Sequence, residues 1–338
     1  MHTLNVCLEA ATMSQFLWTQ KQDIGPASRS YSAMGFESKQ NRIVLFGGLA
    51  GASPASDTWV FDGNNWTQFA DIGPSARSEH AVAYDSTRQR LVLFGGIRPS
   101  GSGQAYLGDT WEWDGAEWTQ IEDTGPAPRS GMAMCFDSLR GRVCMFGGGN
   151  ATKQFNDTWS WDGTSWTQEQ DTGPAARTKH GLAYDVARDR VVLFGGLSVT
   201  TTQTQVTVTD RSWWGGTSSH TETHSATSYQ FFDDTWEYDG AMWTRVADTG
   251  PAARHSFGIA YNGKATLLFG GRDGTTTFRD TWQWNGAHWT ERQEIGPSSR
   301  SASAAGYDST RDRMVIFGGT AADTTSLLGD TWDGFERP

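Results

Sequence analysis

The sequence predicts an all-β chain folded as a six-bladed β-propeller, four antiparallel strands to a blade, with the N-terminal strand completing the last blade. A three-part signature recurs six times along 338 residues, and its sixth copy stops short of a fourth strand. The composition agrees: 40 Gly, 17 Trp and 17 Phe beside only 19% charged residues suit many short strands joined by tight turns.

The signature is periodic in a way that only a repeat architecture explains. Phe-Gly-Gly begins at Phe46, Phe94, Phe146, Phe194, Phe269 and Phe317. Asp-Thr-Trp follows each, ending at Trp59, Trp111, Trp159, Trp236, Trp282 and Trp332, and Gly-Pro-x-x-Arg precedes each, ending at Arg29, Arg77, Arg129, Arg177, Arg254 and Arg300. In the second copy, residues 80–84 alternate large and small, and residues 91–94 are continuously apolar, as a strand buried on both faces must be. Residues 110–113 and 117–120 give the third and fourth strands. Asp114-Gly115 between them, and Asn262-Gly263 in the fifth copy's first hairpin, favour a type I′ turn with positive φ at both positions.

One blade cannot bury both of its faces, whereas six arranged radially can. Fifteen of the 17 tryptophans fall on repeat positions. Each buries roughly 150–250 Å², on the order of 4–6 kcal/mol before entropy is counted, so packing between blades accounts for them. Residues 16–20 (FLWTQ) match residues 117–120 (EWTQ), so they supply the missing strand and remove an open sheet edge. Residues 13–338 then form a single domain, with residues 1–12 a disordered extension and Met13 an alternative start.

Phe-Gly-Gly, Asp-Thr-Trp-x-Trp-Asp-Gly-x-x-Trp and a period near 50 residues resemble kelch repeats, in the form common in bacterial proteins. The resemblance covers about residues 15–332 and implies the propeller fold. It does not imply one function, since kelch propellers serve as interaction modules, sugar-processing enzymes, oxidases and plant specifier proteins.

Composition excludes several classes. A net charge of −11 disfavours nucleic acid, which needs clustered cations, and anionic membrane surfaces. No run approaches the length of a membrane-spanning helix. Three cysteines cannot build a disulfide framework, and Cys135 and Cys144 fall at core positions. The first twelve residues lack a basic leader, so a cytoplasmic monomer is the expectation.

The repeat supplies its own control, because a residue demanded in every blade serves the blade. The six arginines are thus mainly structural, with anion binding by Arg77, Arg177 and Arg254 as the alternative. Asp85, Asp137, Asp185 and Asp308, each five before an Arg, read as turn caps with a local ion pair. In a meander, the long loops and the Gly-Pro-x-x-Arg segments share one face of the disc, where variable loops carry function. Just past each arginine the sequence varies, which places Tyr31, Glu79, His80, Lys179, His180 and His255 around the mouth of the central channel. That mixture suits sugar or peptide binding, or acid–base chemistry with Glu79 or His80 as base and His180 or Lys179 as acid.

The largest departure is an insertion in blade four, residues 198–230, which reads as a β-hairpin with Trp213 and Trp214 at its tip. Those rings can cover the channel, stack on a sugar or grip a protein. His220, Glu222 and His224 alternate on one side of the return strand, a set suited to zinc or iron. Consecutive ligands about 6.5–7 Å apart do not meet one ion without a bulge, so no cofactor is the expectation. The leading function is a module that binds a protein or carbohydrate partner on the long-loop face. The alternative is a small-molecule enzyme of mutarotase, isomerase or lyase type at the channel mouth.

Overall fold

The computed structural model describes residues 15–21, 24–69, 72–122, 124–211, 213–293 and 296–337. The extension 1–12, Met13 and Cys7 lie outside them. Five blades are continuous four-stranded meanders. Blade two, for example, consists of Ala81–Asp85, Arg90–Phe94, Thr110–Trp113 and Trp118–Glu122. Blade six takes Ala304–Asp308, Arg313–Ala321 and Leu327–Arg337 from the end of the chain. Its fourth strand is Gln15–Gln20, antiparallel to Leu327–Arg337 with Trp18 opposite Gly334. Phe16, 1% exposed, packs onto Gly334, which stands where blade two has Trp113. Among the described residues no helix is long and apolar enough to cross a membrane.

The core lies between blades. One layer joins Ala83, Val92 and Phe94 of blade two to Met134, Met145 and Trp161 of blade three, and five more layers repeat the pattern. A ring of hydrogen bonds ties the blades together. The outer-strand indole Nε1 of Trp118 donates to Thr58 Oγ1 of the preceding blade at 2.9 Å. Trp66, Trp166, Trp243, Trp289 and Trp18 repeat this with Thr331, Thr110, Thr158, Thr235 and Thr281. The glycine of Gly-Pro-x-x-Arg exists for these rings, since a Cβ on Gly73 would lie 2.7 Å from Trp118.

Two turn expectations need correction. At Asp114-Gly115 and Asn262-Gly263 only the glycine has positive φ, 106° and 83°. The strands close at Trp113 opposite Trp118 and Tyr261 opposite Thr266, so the loops hold four residues rather than two. The Asp114 and Asn262 side chains each accept two backbone N–H groups and hold the turn instead. The capping aspartates pair at a different distance as well. Asp85, Asp137, Asp185 and Asp308 bind Arg88, Arg140, Arg188 and Arg311, three residues on, because those arginines start from the same tight turn. Among the described residues only Glu37, in blade one, pairs five residues on, with Arg42 at 2.7 Å.

Candidate functional site

The site is built on the strand entry that follows each repeated arginine. The six arginines themselves face away from it. Each is at most 2% exposed and grips the aspartate of its own blade's Asp-Thr-Trp through two parallel bonds, as Arg177 grips Asp234 at 2.6 and 2.9 Å. A carbonyl of Phe-Gly-Gly, Gly195 for Arg177, takes a third bond. Arg77 and Arg254 are held likewise by Asp109 and Asp280. Their donors are consumed inside the blade, so the anion-binding alternative for Arg77, Arg177 and Arg254 finds no free guanidinium.

Two residues further on, the backbone turns left-handed in every blade, with φ of 55° at Tyr31, 55° at Glu79, 65° at Gly131, 58° at Lys179, 55° at Ser256 and 55° at Ala302. Each N–H donates to the carbonyl of the equivalent residue in the preceding blade. The chain of bonds runs Glu79 to Tyr31 (3.1 Å), Gly131 to Glu79 (2.9 Å), Lys179 to Gly131 (2.6 Å), Ser256 to Lys179 (2.8 Å), Ala302 to Ser256 (2.7 Å) and Tyr31 back to Ala302 (2.9 Å). This closed ring rims the channel. Left-handed φ costs a non-glycine residue roughly 1–2 kcal/mol, and five of the six ring residues are not glycine.

The ring side chains form one cluster. Gly131 has no side chain, and Lys179 and Glu79 meet across it at 2.9 Å. The Lys179 ammonium also lies 4.6 Å over the Tyr31 ring, and Ser130 Oγ donates to Glu79 at 3.1 Å. Burial works against the Lys179 charge, but Glu79 and Tyr31 outweigh it and raise its pKa. Lys179 and Glu79 are thus partners to each other before they are acid or base to anything else.

His80 and His180 sit one residue further on and line the channel beside the ring, around a space of about 150 Å³, with both residues largely buried among the blades. His80 lies edge-on to Phe46 of blade one at 5.5 Å and His180 edge-on to Phe146 of blade three at 5.4 Å. Phe257 makes the same contact with Phe194 in blade five. Burial, reinforced by Arg77 and Arg177 respectively, pushes both pKa values down to about 3. An imidazole held in its uncharged form at neutral pH keeps one N–H but is too weak an acid to protonate a substrate, which leaves His180 unsuited to the role of acid. Cys135 and Cys144 lie opposite each other in blade three, both buried.

His255 is different. Its ring stacks on Phe231 at 5.6 Å and 14°, Nδ1 lies 2.9 Å from Ser256 Oγ, and it faces a cavity of about 620 Å³ on the long-loop face. Burial first, then Lys179 and Arg272, push its pKa down to about 3. Glu79 and Lys179 floor the cavity, Tyr229 and Phe231 from the base of the insertion form one wall, and Arg272 of blade five forms another. Tyr106, Asn150 and Gln154 from the loops of blades two and three close the rest. Gln154 Oε1 accepts the Val199 N–H at 3.1 Å and ties the insertion to blade three.

Above the cavity the insertion is a hairpin of Leu197–Arg211 and Thr217–Phe231, paired in register throughout. Fifteen residues per strand reach about 50 Å. Trp213 and Trp214 are 95% and 93% exposed at its far end, so neither covers the channel. His220, Glu222 and His224 do share a side, with Glu222 between the imidazoles at 3.1 and 3.4 Å and Asp210 3.2 Å from His220. Among the described residues no group of three or more His, Cys, Asp or Glu is arranged to hold a metal ion.

Sequence reasoning passed over Arg272. The signal was present: the position after Phe-Gly-Gly holds Leu49, Ile97, Gly149, Leu197, Arg272 and Thr320, so blade five alone carries a charge there.

The KLHDC2/KLHL20/DRC7 kelch-repeats domain model matches residues 112–285, just over half of the chain. The chain belongs to the kelch-repeat family. Among solved structures, this kelch propeller resembles one titled "Structure of YjhT", with a TM-score of 0.67 over 91% of this chain and 95% of that one. At 14% identity the likeness is one of fold. No curated protein matches the kelch chain.

Proposed function

We propose that this kelch propeller is a binding module that recognises a protein or carbohydrate partner on its long-loop face. The observation that carries the reading is the 620 Å³ cavity, walled by loops of four blades and by the base of the one large insertion. Its walls are made of residues that vary between blades, over a frame that does not. Aromatic faces at Tyr106, Tyr229 and Phe231 beside amide groups at Asn150 and Gln154 suit a sugar ring or a short peptide segment. The hairpin adds a second point of grip, since exposed tryptophans are enriched in binding hot spots.

The test is a glycan array and a peptide-display screen with the intact protein, beside Tyr229→Ala and a variant with residues 201–227 replaced by a short turn. Binding that fails in Tyr229→Ala supports the cavity, and binding that fails only in the shortened variant supports the hairpin. Binding unchanged in both would sink the proposal.

A small-molecule enzyme is the second reading, and His255 favours it as a neutral imidazole at a cavity wall. Chemical conversion of a bound ligand that stops in His255→Gln would select this reading over simple binding.

A further inference from the structure

The repeat control isolates one pair of residues. The residue directly after each arginine is Ser30, Ser78, Ser130, Thr178, His255 and Ser301. It forms a β-bridge with the residue after Phe-Gly-Gly: Ser30 with Leu49, Ser78 with Ile97, Ser130 with Gly149, Thr178 with Leu197 and His255 with Arg272. In blade six Ser301 pairs with Thr320. Every blade thus joins a small hydroxyl residue to an uncharged one, except blade five. There both members depart together, and both line the cavity.

Their chemistry is unfinished. Arg272 Nε donates to the Asp273 carbonyl at 3.3 Å. Among the described residues no carboxylate lies within ion-pair distance of its guanidinium, whereas Lys179 is matched by Glu79. Asp273 is occupied with the N–H groups of Thr275 and Thr276, both at 2.6 Å. Nδ1 of His255 lies 2.9 Å from the Ser256 hydroxyl; in the tautomer in which that hydroxyl donates, the ring proton sits on Nε2, for which no described residue is a partner. Arg272 also lines a neighbouring cavity of about 330 Å³ over blades six and one, so its half-buried head stands between two open spaces.

We infer that His255 and Arg272 form an anion-recognition point, and that the cavity takes a ligand bearing a carboxylate next to a ring or apolar segment. The Arg272 fork would hold the two oxygens, His255 Nε2–H would add a third bond, and the attached segment would lie against Phe231 and Tyr229. Arginine suits this role because its planar fork matches a carboxylate and keeps its charge. The inference rests on the binding reading above and supplies the chemical class of what is bound. A small acid and the acidic side chain of a peptide share this chemistry.

The test uses the sibling blades as a source of substitutions. Arg272→Leu installs the residue found at Leu49 and Leu197, and His255→Ser the one found at Ser30 and Ser78, so both fit the bridge they replace. Ligand-detected NMR would compare glucuronate with glucose, and an Ala-Glu-Ala peptide with Ala-Gln-Ala, both acetylated and amidated at their ends, so that each pair differs only in the one carboxylate. The intact protein is expected to favour the charged member of at least one pair by about ten- to a hundredfold, and Arg272→Leu to abolish that preference with an unchanged unfolding midpoint. The pair that shows the preference identifies the source. A preference that survives Arg272→Leu, or equal binding of charged and neutral probes, would overturn the anion assignment while leaving the cavity a binding site. No binding of any probe would overturn the assignment, and the glycan and peptide screen would then decide separately whether the binding reading stands.

Discussion

Two rings of six encircle this propeller, two residues apart in the chain, and they obey opposite rules. In the ring of Arg29, Arg77, Arg129, Arg177, Arg254 and Arg300, the residue and its environment are constant: a buried guanidinium, a carboxylate and a carbonyl. In the ring of Tyr31, Glu79, Gly131, Lys179, Ser256 and Ala302, the backbone is constant and the side chain is free to vary. The first ring spends its chemistry inside the blade. The second uses backbone bonds alone to hold its geometry, which leaves five side chains and one glycine gap around one mouth. A repeat fold can therefore keep a scaffold fixed and still place unlike groups side by side, as with Glu79, Lys179 and Tyr31.

The comparison can be broken at several points. Arg177→Ala should have the largest effect, because it strands Asp234 without its partner in a buried layer. A loss of about 3–5 kcal/mol in urea unfolding is expected, and a loss near zero would mean that the arginine ring does not hold the blades. Thr158→Val removes the acceptor of the Trp243 indole and should cost about 1–3 kcal/mol by the same measurement. In the second ring, Gly131→Ala should cost about 1–2 kcal/mol for left-handed φ. Its new Cβ would stand 3.2 Å from Thr178 and 3.4 Å from Lys179, so a change in the Lys179 side-chain NMR signals should accompany the loss. The smallest effect at neutral pH should come from His80→Phe and His180→Phe, which copy Phe257.

Those two variants should nevertheless change the response to acid. A histidine with a folded pKa of about 3 against 6.5 unfolded takes up its proton on unfolding. Its contribution to stability is complete above pH 6.5 and is lost as the pH falls from 6.5 toward 3. The double Phe variant should lose less stability than the parent over that window. Equal slopes in pH-dependent unfolding would place the imidazoles in contact with water.

The constant ring was legible in the sequence because identical residues repeat: Phe-Gly-Gly, Asp-Thr-Trp and the arginine recur, and with them blade number, closure by residues 16–20 and the loop face. The second ring was not legible as structure, because Tyr, Glu, Gly, Lys, Ser and Ala share no propensity that announces a left-handed turn. His80 and His180 do line the channel, as their place after the arginines predicts, but residue type alone does not reveal that their rings are buried against Phe46 and Phe146. Arg272 was visible in the alignment of the repeats but stood in a position whose role, bridging the residue after the arginine, emerges only from the strand pairing.

The most direct test of the central claim measures folding and binding together on Arg177→Ala and Tyr229→Ala. With the ligand found by the glycan or peptide screen, Arg177→Ala should lose about 3–5 kcal/mol of stability yet bind normally in its folded fraction. Tyr229→Ala, 62% exposed at the cavity wall, should unfold within about 0.5 kcal/mol of the parent and bind at least about tenfold more weakly. The reverse pattern, with stability lost at Tyr229 or binding lost at Arg177 alone, would contradict the division between a constant scaffold and a variable recognising face.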